Sequence, residues 1–286
     1  MTAGSGSLLA RLRLLRASNL PSPAADVLAG SALGGSIDGS RAALAVAASV
    51  AIYHAGMALN DWADRAEDAH TRPSRPIPSG AVSPREALVT GLALVAIAIV
   101  ASAAAGNLAV VGPLAGVVLL YDLAIPRGSW PGPLALGLAR ALNLLGGMAI
   151  AGVELPRSAV PMACGYGAYV AGVSFFALGE DRPWSGARAA AAAAFAVGGL
   201  AIAASTLAGA AASLLWCVLL EPASLVLGPP RPWTPDRVGA LVGAGLRGTL
   251  VFDAVVAASS GFPSIALACG AGYAISRLLA RWIPPT

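Results

Sequence analysis

From residue 189 to residue 220 the chain carries no charged side chain. A helix that crosses a bilayer needs roughly 20 predominantly apolar residues. The run is too long for one crossing, so it divides into two near Ala208–Ala212. The rest of the chain repeats this pattern of apolar runs. Candidate spans lie at about 22–38, 42–59, 86–105, 107–124, 132–152, 158–178, 187–207, 209–227, 237–259 and 262–280. The loops between them are short. The expectation is an all-α, polytopic transmembrane helix bundle of about nine or ten spans, with residues 1–286 forming one domain.

Charge supports this and orients it. Only 11% of the residues are charged, where a soluble domain has about a quarter. Every basic residue is arginine, and the excess of basic over acidic groups gives +4. That charge is spread over short loops between spans, which argues against a nucleic-acid partner. Alternate loops carry Arg11, Arg13 and Arg16, then Arg65, Arg72, Arg75 and Arg85, then Arg127, then Arg182 and Arg188, then Arg231 and Arg237, then Arg277 and Arg281. The opposite loops carry Arg41 and Arg157 alone. The positive-inside rule therefore predicts a multi-pass cell-membrane protein whose termini and arginine-rich loops are cytoplasmic. Asn19-Leu20-Pro21-Ser22-Pro23 is a poor start for the apolar core of a cleaved signal. Cys164, Cys217 and Cys269 lie far apart in apolar stretches and read as packed or lipid-facing thiols. Trp216 and Trp233 read as interface anchors.

The segment Asn60-Asp61-Trp62-Ala63-Asp64-Arg65-Ala66-Glu67-Asp68 ends one apolar run. If it is helical, Asp61, Asp64 and Asp68 fall within about 60° of one another, because spacings of three and four share a face. Crowded carboxylates repel, and near a membrane a cation must neutralise them. Magnesium suits the site, taking one or two carboxylates and completing its shell with water and phosphate oxygens. The plain alternative is a solvated acidic helix end followed by a proline-rich turn.

Asn60-Asp61-x-x-Asp64-x-x-x-Asp68 with Arg72-Pro73-Ser74-Arg75-Pro76-Ile77-Pro78-Ser79-Gly80 resembles the first signature of the UbiA superfamily of intramembrane prenyltransferases. The resemblance implies a Mg2+-dependent enzyme that takes an isoprenyl diphosphate and a lipophilic or aromatic acceptor from the membrane lipid. It implies metal binding and catalysis at Asp61, Asp64 and Asp68, and diphosphate binding at Asn60, Arg72 and Arg75. Tyr121-Asp122-Leu123-Ala124-Ile125-Pro126-Arg127 resembles the family's tyrosine followed by a basic pair, and assigns Tyr121 and Arg127 to the diphosphate. An ordinary loop arginine is the alternative for Arg127. Arg140 and Asn143 share a helix face inside a span and join the expected diphosphate set, since charge at that depth usually faces a protein interior. Snorkelling towards the surface is the other reading of Arg140.

The family's second motif, D-x-x-x-D, is incomplete. Asp181 stands for its later aspartate and is expected to serve as a metal ligand, but Ala177 occupies the earlier position. That departure, with Leu138-x-Arg140-x-Leu142-Asn143, resembles the UbiA-like EboC branch. Two functions stay open from sequence: a prenyltransferase, or a non-catalytic relative that transports or handles a membrane metabolite. Arg247 and Asp253 lie within another apolar run, six apart, and each is expected to pair across helices.

Overall fold

The structure is a computed structural model, and it describes residues 8–35, 37–126, 128–152, 156–178, 186–226 and 234–283. Among them every regular element is helical. In chain order they are α1 (Leu8–Leu14), α2 (Pro21–Leu33), α3 (Gly39–Ala63), α4 (Arg65–Thr71), α5 (Pro84–Ala105), α6 (Leu108–Leu123), α7 (Pro131–Ala149), α8 (Ala159–Ala177), α9 (Gly186–Ala204), α10 (Ala210–Leu214), α11 (Leu220–Val226), α12 (Pro235–Ser259) and α13 (Pro263–Leu279). Short 3-10 turns lie at Ala17–Asn19 and Leu215–Leu219.

Local signals set many of these limits. Proline at the first helical position opens α2, α5, α7, α12 and α13, where its missing N–H costs nothing. The Asp38 carboxylate accepts from the N–H groups of Ser40 and Arg41 at the start of α3. Ser83 accepts from the N–H of Glu86 at the start of α5. Gly106, at φ 82°, ends α5 in the left-handed region. The following Asn107 accepts from Ser102 at 2.9 Å and donates to the Gly146 carbonyl at 3.0 Å, which pins the α5–α6 turn to α7.

The helices of the bundle approach closely because small residues line their crossings. A Cβ on Gly30 of α2 would meet the Leu144 carbonyl oxygen of α7 at 2.1 Å, and one on Gly147 of α7 would meet the Val27 carbonyl at 2.2 Å. In lipid, where apolar side chains gain little by leaving their surroundings, such backbone approach is a main source of association. The outward face of α5, with Val89, Leu92, Ile97 and Val100, is exposed and apolar. Among the described residues four helical segments are long and apolar enough to cross a membrane: Gly39–Ala63, Pro84–Ala105, Ala159–Ala177 and Arg237–Ser259.

Each predicted span contains a helix, but two differ from expectation. The span expected at 22–38 is helical only as far as Leu33. The one expected at 209–227 is divided into α10, the 3-10 turn and α11. Neither stretch is one regular spanning helix. Cys269 is buried, Cys217 is half-buried and Cys164 is exposed. Arg247 pairs with Glu221, its Nη2 lying 2.5 Å from Oε1. Trp233 lies outside the described residues.

Candidate functional site

The C-terminal ends of α3, α6 and α8 and the start of α7 enclose one end of a cavity of about 290 Å³. On α3 the lining residues Tyr53, Gly56 and Asn60, with Asp64 just past its end, follow one another at spacings of three and four, so they form a ladder on one side. Arg16, Arg72 and Arg75 join Asp64 at the polar end. Val117, Leu136, Val170 and Val242 also line the cavity, with Asp122, Arg140 and Arg247.

The acidic segment is not one continuous helix. α3 stops at Ala63, Asp64 is the junction, and α4 restarts at Arg65. Backbone hydrogen bonds still run across the junction, from the Asp64 N–H to the Asn60 carbonyl and from the Asp68 N–H to the Asp64 carbonyl. Asp64 lines the cavity, whereas Asp61 and Asp68 are buried around Arg75. One guanidinium nitrogen, Nη1 of Arg75, lies 3.2 Å from Asp61 Oδ1 and 2.7 Å from Asp68 Oδ2. Arg16 adds a second cation, with Nη2 3.3 Å from the same Asp61 oxygen and Nη1 3.3 Å from Met57 Sδ. Burial pushes the Arg75 guanidinium below its ordinary range, Arg16 pushes the same way, and Asp61 and Asp68 pull it back up. Arg16 sits at φ 48°, a left-handed backbone uncommon for a residue with a side chain.

Deeper in the bundle a polar network joins four helices. Asp26 of α2 is fully buried and lies 2.7 Å from Arg140 Nη1 of α7. Its carboxylate also accepts from Asn143 Nδ2 at 2.8 Å and from the Tyr166 hydroxyl of α8 at 2.5 Å. Arg140 donates to Ser22 and, at 3.2 Å, to Thr249 of α12. A buried ion pair survives in so apolar a place only when its remaining hydrogen-bonding capacity is met, as here.

The structure thus brings Asn60, Asp64, Arg72, Arg75, Tyr121 and Arg140 of the predicted set to one cavity. Asp61 and Asp68 stand behind Arg75. Asn143 stands behind Arg140 on Asp26. Arg127 and Asp181 lie outside the described residues. Ala177 lines the cavity. Sequence reasoning missed three participants. Arg16 read only as a topological charge, Asp122 only as a neighbour of Tyr121, and Asp26 not at all. The signal for Asp26 was present, since an acidic residue within an apolar run asks for a partner just as Arg140 does.

Among the described residues no three His, Cys, Asp or Glu side chains form a group placed to hold a metal. A hydrated magnesium ion needs less than that. One or two carboxylates suffice when water and phosphate oxygens complete the octahedron. Asp64 in the cavity wall, with Asp61 and the Asn60 amide oxygen beside it in sequence, is a hard-oxygen donor set that fits such an ion.

Comparison with known proteins decides the family. The profile of the UbiA prenyltransferase family matches residues 23–225. The chain belongs to the UbiA prenyltransferase family.

Family membership and its apolar helices make it a membrane protein. It is 38% identical over 145 residues to a digeranylgeranylglyceryl phosphate synthase of Ignicoccus hospitalis, covering 50% of this chain and 48% of the relative. It is 40% identical over 111 residues to a 4-hydroxybenzoate octaprenyltransferase of Albidiferax ferrireducens, covering 37% of this chain and 36% of the relative. The matched region thus spans about half of the first of these relatives and about a third of the second. The fold is similar to that of a UbiA homolog from Archaeoglobus fulgidus, with a TM-score of 0.56 and 17% identity over 94% of this chain and 99% of that one. It is also similar to the Archaeoglobus fulgidus homolog bound to GPP and Mg2+, with a TM-score of 0.52 and 16% identity over 94% of this chain and 99% of that one.

Proposed function

We propose that this chain is a Mg2+-dependent intramembrane prenyltransferase, moving an isoprenyl group from an isoprenyl diphosphate to a lipophilic or aromatic acceptor. The observation that carries this reading is the make-up of a single cavity. Its wall brings Asp64, Arg16, Arg72 and Arg75 together with the apolar side chains of Val117, Leu136, Val170 and Val242, and Arg140 and Arg247 add further positive charge. An isoprenyl diphosphate likewise joins a charged group to an apolar chain. The names of the relatives and the GPP and Mg2+ bound to a structural neighbour support it.

In this reading Asp64 and Asp61 hold Mg2+, which supplies positive charge to the leaving diphosphate. Arg72 and Arg75 face the same phosphate oxygens, to which a guanidinium offers two parallel donors. Tyr121 lines the cavity beside them, and Arg127 and Asp181 complete the proposed set. The apolar wall keeps water from an allylic cation and leaves the acceptor to capture it. The whole chain acts as one unit in the cell membrane, with the polar end of the cavity facing the cytoplasm.

Ala177 favours a second reading, because it puts a methyl group in the cavity wall where a second motif would put a carboxylate. Under that reading the chain, as a member of the EboC branch, binds and hands on a membrane metabolite. The test is incubation of purified protein with Mg2+, isoprenyl diphosphates of several lengths, and phenolic and alcoholic acceptors. Acceptor-dependent diphosphate release supports the transferase. Tight diphosphate binding with no release supports the second reading.

A further inference from the structure

Asp122 lies near the end of α6, and it is 7% exposed. It lines the cavity, yet its Oδ2 has no hydrogen-bond partner among the described residues. A buried carboxylate oxygen without a donor is costly, and one that lines a cavity can be met there by water or by a ligand. Its place and charge show which ligand. A Cβ built on Gly56 would sit 3.5 Å from Asp122 Oδ2. On the α3 ladder Gly56 is two turns inward from Asp64, about 12 Å along the helix axis at 1.5 Å per residue. Asp122 therefore sits inward of Asp64 and beside Val118 on the cavity wall, still within reach of the charges of Arg16, Asp64 and Asp61. Its partner is not the diphosphate, because an anionic phosphate offers a carboxylate oxygen repulsion and no donor. The partner is a hydrogen-bond donor that enters the middle of the cavity.

We infer that Asp122 receives the hydroxyl group of the acceptor and takes its proton as the isoprenyl group is transferred. This rests on the prenyltransferase reading above and names the acceptor class: a molecule whose nucleophile is a neutral hydroxyl. As the bond between C1 of the isoprenyl group and its diphosphate oxygen breaks, the electron pair leaves with the diphosphate. A lone pair of the acceptor oxygen forms the new bond to C1. The proton of that hydroxyl passes to Asp122 Oδ2 and is later lost to water. A Cβ on Gly56 would press on Val118 at 3.0 Å and lie in ordinary contact with the carboxylate at 3.5 Å, so glycine keeps this stretch of wall open beside Asp122.

The test compares wild type with Asp122→Asn, full chain in detergent with Mg2+ and geranylgeranyl diphosphate. Two readouts are taken: binding of the diphosphate, and transfer to each of two acceptors. One acceptor is a long-chain alcohol, whose hydroxyl is neutral; the other is 4-nitrophenol above its pKa, already ionised. In Asp122→Asn the diphosphate should bind within about threefold of wild type. Transfer to the alcohol should fall about 100-fold, the lower end of what a positioned base contributes. Transfer to the phenolate, which has no proton to lose, should fall less than about tenfold by the same reasoning. Equal losses for the two acceptors would overturn the inference, since a purely structural role does not distinguish them. A loss of diphosphate binding in both Asp122→Asn and Asp122→Ser would also overturn it, by moving Asp122 to the diphosphate. Wild-type protein that binds the diphosphate but transfers to neither acceptor would overturn it while leaving binding intact. Wild-type protein that does not bind geranylgeranyl diphosphate would instead bring down the prenyltransferase reading, and this inference with it.

Discussion

Arg75 Nη1 lies 2.7 Å from Asp68 Oδ2, and this contact closes the break in the helix at Asp64. The same nitrogen reaches Asp61 at 3.2 Å, so one loop cation holds the end of α3 against α4. A cation bound at Asp61 must therefore compete with Arg75. Arg75→Gln should raise the affinity for Mg2+ alone and lower the affinity for an isoprenyl diphosphate, each by about tenfold, or about 1.4 kcal/mol. Titration of each ligand against intrinsic fluorescence reads both constants. A variant that weakens both equally would show that Arg75 serves only the local fold.

The carboxylates differ in what they face. Asp64 lines the cavity, while Asp61 is already contacted by Arg16 and Arg75. Asp64→Asn keeps the size and removes the charge, so Mg2+-dependent binding of GPP should fall at least about tenfold, the loss of one charged oxygen ligand. Asp61→Asn should also lose Mg2+-dependent turnover. Undiminished Mg2+ dependence in both variants would take the metal away from this segment.

The network on Asp26 makes a prediction about stability rather than chemistry. Asp26→Ala leaves the Arg140 guanidinium buried without its 2.7 Å partner. Breaking one side of a buried pair costs about 3–5 kcal/mol, more than deleting the same side chain at the surface. Thermal unfolding in detergent should drop accordingly, and Asp26→Ala combined with Arg140→Met should recover part of the loss. If the double variant is no better than the single one, the pair does not carry the effect.

The helical bundle was legible because apolar runs in lipid leave the backbone little but the helix. In the first acidic segment the meeting of Asp61 and Asp68 on one side was legible from their spacing, and the junction at Asp64 was not. Spacing alone placed Asp61, Asp64 and Asp68 on one face, and nothing in it marks the junction at Asp64. That break is held by Arg75, which arrives from beyond α4 and is therefore a tertiary cause. Arg140 and Asn143 could be read as facing a protein interior, since charge at depth requires it. Their shared partner Asp26 lies more than 100 residues away in sequence, and no periodicity links the two. The contraction of the 22–38 span to α2 was hidden for a related reason. Hydropathy does not separate Ala- and Gly-rich helix from apolar connection.

The gap in the second motif gives the last prediction. On α8 the cavity is lined by Val170, Ser174 and Ala177, at spacings of four and three, so Ala177 presents its Cβ on the cavity face. Ala177→Asp would place a carboxylate there, four residues before Asp181 in sequence. Arg72, Arg75 and Arg247 line the same cavity, so the new charge does not lack cations. If the protein uses two ions, the added ligand should make diphosphate binding depend more steeply on Mg2+, with affinity at saturating Mg2+ rising about tenfold. If the chain has turned to binding without chemistry, the new carboxylate only repels the diphosphate, and affinity falls at every Mg2+ concentration. The readout is the diphosphate dissociation constant across a Mg2+ series for both proteins, with the unfolding temperature as the control for folding. A folded variant whose Mg2+ dependence is unchanged or shallower would exclude the latent second ion and favour the non-catalytic reading.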